Sequence, residues 1–138
     1  MRKGVVFLGA LILILILLAI RVHAAEPQKY TELELMERVV EAEAGNQGMV
    51  GKRLVAAVIY NRVESEKFPN TVYDVLVSPH QFSTVWNGAV DRVEVSGETK
   101  LAVMLEVTNR TDNEILYFNC GECSGKFAYK YRGHNFGK

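Results

Sequence analysis

The chain has 138 residues, 49% of them hydrophobic, with 16 basic and 16 acidic side chains. Its first 25 residues hold three of the basic side chains and no acidic one, so the rest carries 13 basic against 16 acidic residues, a formal charge of −3. About 113 residues make one domain with one core, and the lack of a basic stripe argues against nucleic acid as a partner.

The N-terminus combines a short basic start with an apolar run. Residues 4–20 carry no charge, and Val22 and Ala24 stand where small residues precede a signal-peptidase site. The run also approaches the roughly 20 residues that span a bilayer. Two interpretations stay open, since residues 1–25 fit either a cleaved signal peptide or a retained membrane anchor. Both place the domain of residues 26–138 outside the cytoplasm.

A helix is predicted over residues 31–43, opening with Thr31 and Glu34 at the spacing of a capping box. At about 100° per residue, its apolar side chains form one stripe. The stripe comprises Leu33, Met36, Val39 and Val40. Glu41 falls on the opposite, charged side with Glu34, Glu37 and Arg38.

Glu43 projects from the middle of this stripe, just before a natural stop at residues 45–48. Burial penalises the charged form of a carboxyl group, so the pKa of Glu43 is expected to be raised. A raised pKa is how an enzyme obtains a general acid near neutral pH. The alternative is a glutamate that pairs with a basic residue or lies exposed at a helix end.

Two further helices are predicted before the middle of the chain. The helix over residues 49–63 is apolar on both faces, which favours a central position. A short helix begins at Thr71 and runs through Val77, with Asp74 as its capping residue. His80 follows in a loop and is interpreted as exposed.

The predicted loop over residues 78–88 is rich in amides, hydroxyls and aromatic rings. Gln81, Phe82, Ser83 and Trp86 offer the mixture found in sugar-binding clefts, where amides bind hydroxyls and rings stack on pyranose faces. The alternative is that Phe82 and Trp86 belong to the core and Gln81 caps a turn.

The C-terminal part is predicted to contain a helix and a small antiparallel sheet. The helix runs from about Glu98 to Arg110, and its inward side is predicted to be Leu101, Met104, Leu105 and Thr108. Residues 115–118 and 127–131 are predicted to form a hairpin that returns residues 133–136 to the body. The fold class is therefore α+β, mainly helical with a β-hairpin.

Polar and aromatic residues also gather near the C-terminus. Tyr117, Asn119 and Tyr131 add such character to the predicted strands. His134 is a candidate proton carrier or ligand contact, although a lone histidine is more often structural.

Cys120 and Cys123 form an isolated C-x-x-C pair. Such a pair fits a redox site, half of a zinc site or a small disulfide loop. A zinc site needs two more ligands, and His134 is the one histidine downstream. A local disulfide or two structural thiols is favoured, with no catalytic role, and no metal or cofactor is expected.

Several short motifs occur in an order that resembles a known family. They are Val40–Ala44, Ala56–Val63, Phe68–Thr71, Gln81–Ser83, Leu116–Asn119 and Gly133–Phe136. Together they resemble the catalytic domain of the spore cortex-lytic (SleB and CwlJ) type of bacterial cell-wall hydrolase. The resemblance covers roughly residues 33–136.

The resemblance implies a peptidoglycan-cleaving domain related to lysozymes and lytic transglycosylases, with one glutamate as acid and base. That glutamate corresponds to Glu43. Gln81, Phe82 and the Tyr117–Asn119 strand would line the glycan groove, and His134 matches the family's glycine-x-histidine motif. The Asn61–Arg62 pair would end the neighbouring helix beside the site.

The chain departs from the family pattern at two points. The catalytic glutamate of the family is commonly followed by Ala-Arg-Gly-Glu, whereas Ala44-Gly45-Asn46-Gln47 stands here. Gln47 can form hydrogen bonds but cannot act as a second carboxylate. Cys120 stands where the strand motif often carries proline.

Three functional hypotheses follow. The first is an exported or membrane-tethered, monomeric lytic glycosidase whose partner is the glycan strand of peptidoglycan, releasing a 1,6-anhydro sugar, or a reducing end if water attacks. The second is a non-catalytic peptidoglycan-binding module, motivated by the changed segment at residues 45–47. The third is a small exported redox protein using Cys120 and Cys123.

Overall fold

The computed structural model describes residues 28–122 and 124–138. The helices are α1 (Glu32–Ala44), α2 (Gly48–Glu64), α3 (Val72–Val77), α4 (Ser83–Trp86), α5 (Ala89–Arg92) and α6 (Gly97–Thr108). The strands are β1 (Tyr117–Asn119), β2 (Phe127–Tyr131) and β3 (His134–Gly137). The predicted α+β class is confirmed. The predictions for residues 1–25 and for Cys123 lie outside the described residues.

Helix α1 begins as its sequence predicts. The Thr31 hydroxyl accepts a hydrogen bond from the backbone N–H of Glu34, and the Glu34 carboxylate accepts one from the N–H of Thr31. Leu33 was expected in the buried stripe, which is wrong, since its side chain is 55% exposed. Leu33 lies in the first turn, at the edge of the core, whereas Leu35 is buried.

Helix α2 is central, as its two apolar faces predict. Its residues 54–59 are all buried. One side joins α1 and α3 in the larger hydrophobic cluster, and the other packs against Ile115 and Phe136 in a smaller one. Each face therefore finds its own apolar partner, which stabilises the helix by burial on both sides.

Helix α6 forms where it was predicted, but the prediction of its inward side is wrong. Leu101, Met104 and Thr108 are exposed and Leu105 is half-buried. The buried residues are Thr99, Ala102, Val103 and Glu106. The smaller side chains permit close packing, and the two polar residues are buried because distant parts of the chain supply their hydrogen-bond partners.

The segment at residues 78–88 is less irregular than predicted. It contains the short helix α4, and α5 follows after Gly88, which takes a left-handed conformation with φ of 72°. Glycine adopts that conformation without a Cβ clash. The segment therefore returns sharply toward α1.

The strands form one antiparallel sheet in the order β1-β3-β2. A hairpin between the first two strands was predicted, and this pairing is wrong: β2 turns directly into β3 through Arg132 and Gly133, and β3 pairs with both neighbours. Phe118 pairs with Phe136 in the β1–β3 register. The central strand thus places His134 beside the end of β1.

None of the helices within the described ranges combines the length and apolar character required to cross a membrane.

Candidate active site

Glu43 lies in the last turn of α1, between the core and an open cleft. Its side chain is half-buried, and Ala44 beside it is fully buried. The Glu43 Oε1 atom accepts a hydrogen bond of 2.7 Å from the Thr84 hydroxyl of α4. No other hydrogen bond reaches this carboxylate from the described residues. Its second oxygen is therefore available to a ligand.

The cleft beside Glu43 has a volume of about 270 Å³. It gathers residues from α1, from the loop before α4, from β1 and from β3. Its lining residues are Glu43, His80, Gln81, Ser83, Phe118, Asn119, Cys120 and His134. Five residues that the sequence singled out are thus brought together: Glu43, Gln81, Ser83, Asn119 and His134.

His134 forms the floor of the cleft at the start of β3. It is only 6% exposed, and its ring centroid lies 5.3 Å from that of Phe118. Burial lowers the pKa of His134, and the nearby Glu43 charge opposes this shift in part. Because a lowered pKa favours the uncharged form, the imidazole is neutral at neutral pH.

A second, more apolar depression adjoins the cleft. Its lining residues are Pro79, His80, Ser83, Trp86 and Asn87, and its volume is about 750 Å³. His80 and Ser83 line both spaces. The Trp86 side chain is 61% exposed, so one face of an indole is open to a ligand next to the cleft.

Two predicted contact residues line neither the cleft nor the adjoining depression. Phe82 is 1% exposed and belongs to the core, where its ring packs against Phe118 and the Arg62 guanidinium. Tyr117 is half-buried and packs against Phe68. The prediction that Phe82 contacts sugar is therefore wrong, because Phe118 and Arg62 already cover its ring. Both residues support the cleft from behind through Arg62, which contacts both rings.

Glu41 does not supply a second carboxylate to the cleft, and it is not on a solvated face as expected. Its Oε2 atom accepts hydrogen bonds from the backbone N–H of Ser96, the Ser96 hydroxyl and the Thr99 hydroxyl, at 3.0, 2.9 and 2.5 Å. Burial opposes ionisation, but these hydrogen bonds prevail and lower the pKa of Glu41. Glu41 therefore caps the start of α6.

Gln47 also lies outside the cleft. It precedes α2, and its side-chain amide donates a hydrogen bond of 3.1 Å to Asn46 Oδ1. Gln47 is not among the residues that line the cleft.

The sequence interpretation missed three residues of the site. Thr84 was not singled out, although its hydroxyl lies in the polar Gln81–Gly88 segment and donates a hydrogen bond to Glu43. His80 was predicted to be exposed, which is correct, but no role followed from it. Cys120 lines the cleft because β1 ends there, and a position after a short strand gives no local signal.

No three histidine, cysteine, aspartate or glutamate residues in the described part of the chain are arranged to hold a metal ion. Cys120 is exposed at the rim of the cleft.

The sequence profile described as Cell Wall Hydrolase matches residues 46–137. The match covers two thirds of the chain and begins three residues after Glu43. It therefore includes every cleft-lining residue except Glu43 itself.

Characterised relatives carry one common description. A spore cortex-lytic enzyme of Bacillus cereus is 33% identical over 108 residues, covering 75% of this chain and 41% of that protein. A spore cortex-lytic enzyme of Oceanobacillus iheyensis is 37% identical over 98 residues, covering 67% of this chain and 35% of that protein. The chain thus spans less than half the length of these relatives.

Two solved structures share the fold. The catalytic domain of the Bacillus cereus SleB protein superposes with a TM-score of 0.69 at 28% identity, over 84% of this chain and 98% of that domain. The catalytic domain of a germination-specific lytic transglycosylase, SleB of Bacillus anthracis, has the same score and identity, over 82% of this chain and 100% of that domain.

Proposed function

The chain belongs to the cell wall hydrolase family, and on that premise we propose that it cleaves the glycan strands of peptidoglycan with Glu43 as the sole acid and base. The observation that carries this proposal is the state of the Glu43 carboxylate. One oxygen is held by Thr84, the other is unoccupied, and no second carboxylate lines the cleft within the described residues.

A glycosidase with two carboxylates places them about 5–5.5 Å apart for retention or 6.5–9.5 Å apart for inversion. The next carboxylate along α1, that of Glu41, is committed to Ser96 and Thr99. A route that needs one carboxylate therefore fits this cleft better than either two-carboxylate geometry.

The first step follows from the hydrogen bond to Thr84. Because Oε1 accepts that bond, the proton of neutral Glu43 resides on Oε2. Glu43 donates this proton to the glycosidic oxygen, and the bond between that oxygen and the anomeric carbon breaks. The sugar left behind has oxocarbenium character, and Glu43 is now a carboxylate.

In the second step the carboxylate removes the proton from the 6-hydroxyl of the same sugar. The oxygen then bonds to the anomeric carbon and closes a 1,6-anhydro ring, as in a lytic transglycosylase. An intramolecular nucleophile has a high effective concentration, so no water needs to be positioned. Attack by water is the alternative second step, and it leaves a reducing end.

The remaining cleft residues are proposed substrate contacts. Gln81 and Asn119 present side-chain amides to sugar hydroxyls or N-acetyl groups, with Ser83 beside them. His134, neutral and open to the cleft, offers one donor and one acceptor nitrogen. Trp86 stacks on a neighbouring sugar in the adjoining depression.

The cellular setting is proposed on the same grounds. Peptidoglycan lies outside the cytoplasm, so we infer that residues 1–25 direct export, as a leader that is removed or an anchor that is retained. The domain then acts on the wall as a monomer, with glycan strands as its partner. No cofactor or metal takes part in this scheme.

A non-catalytic binding module remains the competing function, and no observation in the cleft favours it. This alternative was suggested by the changed segment at residues 45–47, and Gln47 does not line the cleft. Release of soluble fragments distinguishes the two functions, because a binding module binds sacculi without cleaving them.

Digestion of purified sacculi, followed by mass spectrometry of the soluble products, tests the proposal. We expect muropeptides that end in an anhydro sugar, which are lighter by one water than those with a reducing end. Products with reducing ends alone would support attack by water. Binding without soluble products would contradict glycan cleavage.

A further inference from the structure

Cys120 places a thiol at the rim of the proposed catalytic cleft. The residue is exposed and lines the same space as Glu43 and His134. The β1–β3 pairing ends at Asn119 and Asn135, and Cys120 and His134 are the residues just beyond that last pair. The thiol and the imidazole therefore face the same small space.

The position of Cys120 is fixed by hydrogen bonds on both strands. The Asn119 Oδ1 atom accepts a bond of 2.9 Å from the N–H of Gly121, and Asn135 Nδ2 donates one of 2.6 Å to the carbonyl of Gly121. The backbone immediately before and after the cysteine is thus fastened to the sheet, and the thiol stays beside the cleft.

His134 is the second observation that points to a ligand here. The residue is 6% exposed, lines the cleft, and has no hydrogen-bond partner among the described residues. Its ring nitrogens are therefore available to a group that enters the cleft. Neutral imidazole next to a thiol accepts its proton, which is how Cys–His pairs generate a nucleophile.

We propose that Cys120 is a modification site at which a small-molecule disulfide, such as oxidised glutathione, forms a mixed disulfide that closes the cleft. His134 takes the proton of the Cys120 thiol, and the thiolate attacks one sulfur of the reagent. The sulfur–sulfur bond of the reagent breaks, a Cys120–sulfur bond forms, and the leaving thiolate takes the proton from His134. The reagent is the oxidant, and an added thiol reverses the reaction.

The effect on the cleft follows from its size. A space of about 270 Å³ lined by Glu43, Asn119 and His134 cannot hold both a tripeptide adduct on its rim and a sugar beside Glu43. The closure of the cleft rests on the proposed function, whereas the modification of Cys120 does not. The two parts therefore have separate measurements.

The modification itself is measured by mass. The purified protein is incubated with oxidised glutathione and the adduct is located by peptide mapping, and the rate is compared in His134→Phe and His80→Phe variants. We expect one glutathionyl group on Cys120, slower formation in His134→Phe, and an unchanged rate in His80→Phe. His134→Gln serves as a second variant, and circular dichroism checks that each variant is folded.

Either of two results from mass spectrometry would contradict the modification of Cys120. One is the absence of an adduct on Cys120 under conditions that modify a free cysteine peptide. The other is a purified protein lighter by two hydrogens, with Cys120 already bonded to Cys123. Equal rates in His134→Phe and in the unaltered protein, at equal folding, would remove the role of the imidazole.

The consequence is measured on sacculi. We expect the glutathionylated protein to release no muropeptides and to recover its release rate after dithiothreitol. We expect the release rate of Cys120→Ser, whatever its value, to be unaffected by oxidised glutathione. An adduct that cleaves as fast as the unmodified protein would contradict closure of the cleft. If the unmodified protein releases nothing, the proposed glycosidase fails instead. Protection of Cys120 by an N-acetylglucosamine oligomer then decides whether the thiol shares a glycan site.

Discussion

Glu41 and Glu43 stand two residues apart in α1, yet their carboxylates have different surroundings. Glu41 accepts three hydrogen bonds from the start of α6, and they lower its pKa. Glu43 accepts one, from Thr84, and its other oxygen faces a cleft. The Glu41 carboxylate joins two helices through three hydrogen bonds and lies outside the cleft, whereas the Glu43 carboxylate is held by one and lines the cleft. The number of partners separates a structural carboxylate from a reactive one more clearly than burial does.

Glu106 extends this comparison to the interior. It is fully buried, yet it accepts hydrogen bonds from the Arg53 guanidinium and from both the backbone and the hydroxyl of Thr111. Its charge is compensated on every side. Glu106 belongs with Glu41 as a group that holds the fold, and neither lines the cleft.

The largest effect on stability is expected from Glu106→Ala. Removing one member of a buried ion pair leaves the other charge uncompensated, at a cost of about 3–5 kcal/mol. Urea unfolding measures this cost. Glu64→Ala is the matched control, because the Glu64 side chain that pairs with Arg110 is exposed and a pair with an exposed member contributes at most about 1 kcal/mol. Equal losses in the two variants would contradict the distinction between them.

A smaller effect, on activity alone, is expected from Thr84→Val. The substitution keeps the volume of the side chain but removes the hydrogen bond that orients the Glu43 carboxylate. Glu43 is a carboxylate in the second proposed step, and a hydrogen bond to a charged group contributes about 1.5–3 kcal/mol, so muropeptide release is expected to fall by about 10- to 100-fold. Thr84→Ser retains the hydroxyl and is expected to retain most of the rate. A Val variant as active as the Ser variant would remove Thr84 from the site.

The smallest effect concerns pH and His134. Because burial lowers the pKa of His134 in the folded protein, its contribution to stability is present above the ordinary value of 6.5. It is lost as the pH falls through the lowered value. Glu41 also has a lowered pKa, but its contribution is lost only below its ordinary value of 4.5. Urea midpoints between pH 7.5 and pH 5 should therefore decline, and His134→Phe should flatten that decline. An equally steep decline in the variant would assign it to another group.

Local patterns in the sequence predicted the N-terminal half of the fold well. The capping box at Thr31 and the two apolar faces of α2 depend on residues within a few turns, and the structure confirms both. The buried side of α6 was not predictable in the same way. Glu106 is buried because Arg53 and Thr111 compensate it, and no periodicity reveals a partner 53 residues away.

The sheet and the cleft show the same limit. Strand β3 occupies the centre although its sequence, His134–Gly137, carries little strand signal, because its backbone pairs on both sides. Glu43 was singled out from its place on an apolar face, and the structure places it at the cleft. Phe82 and Trp86 are both aromatic residues of one segment, and only tertiary packing decides that Phe82 is covered and Trp86 is open.

The most direct test compares muropeptide release by Glu43→Gln and Glu41→Gln variants of the purified protein, with urea unfolding of both. Loss of a general acid lowers rates by about 10²- to 10⁴-fold, so Glu43→Gln should release almost nothing while unfolding at nearly the midpoint of the unaltered protein. Glu41→Gln should unfold at a lower urea concentration and keep most of the release rate. Undiminished release by a folded Glu43→Gln variant would contradict the assignment of the cleft and its chemistry.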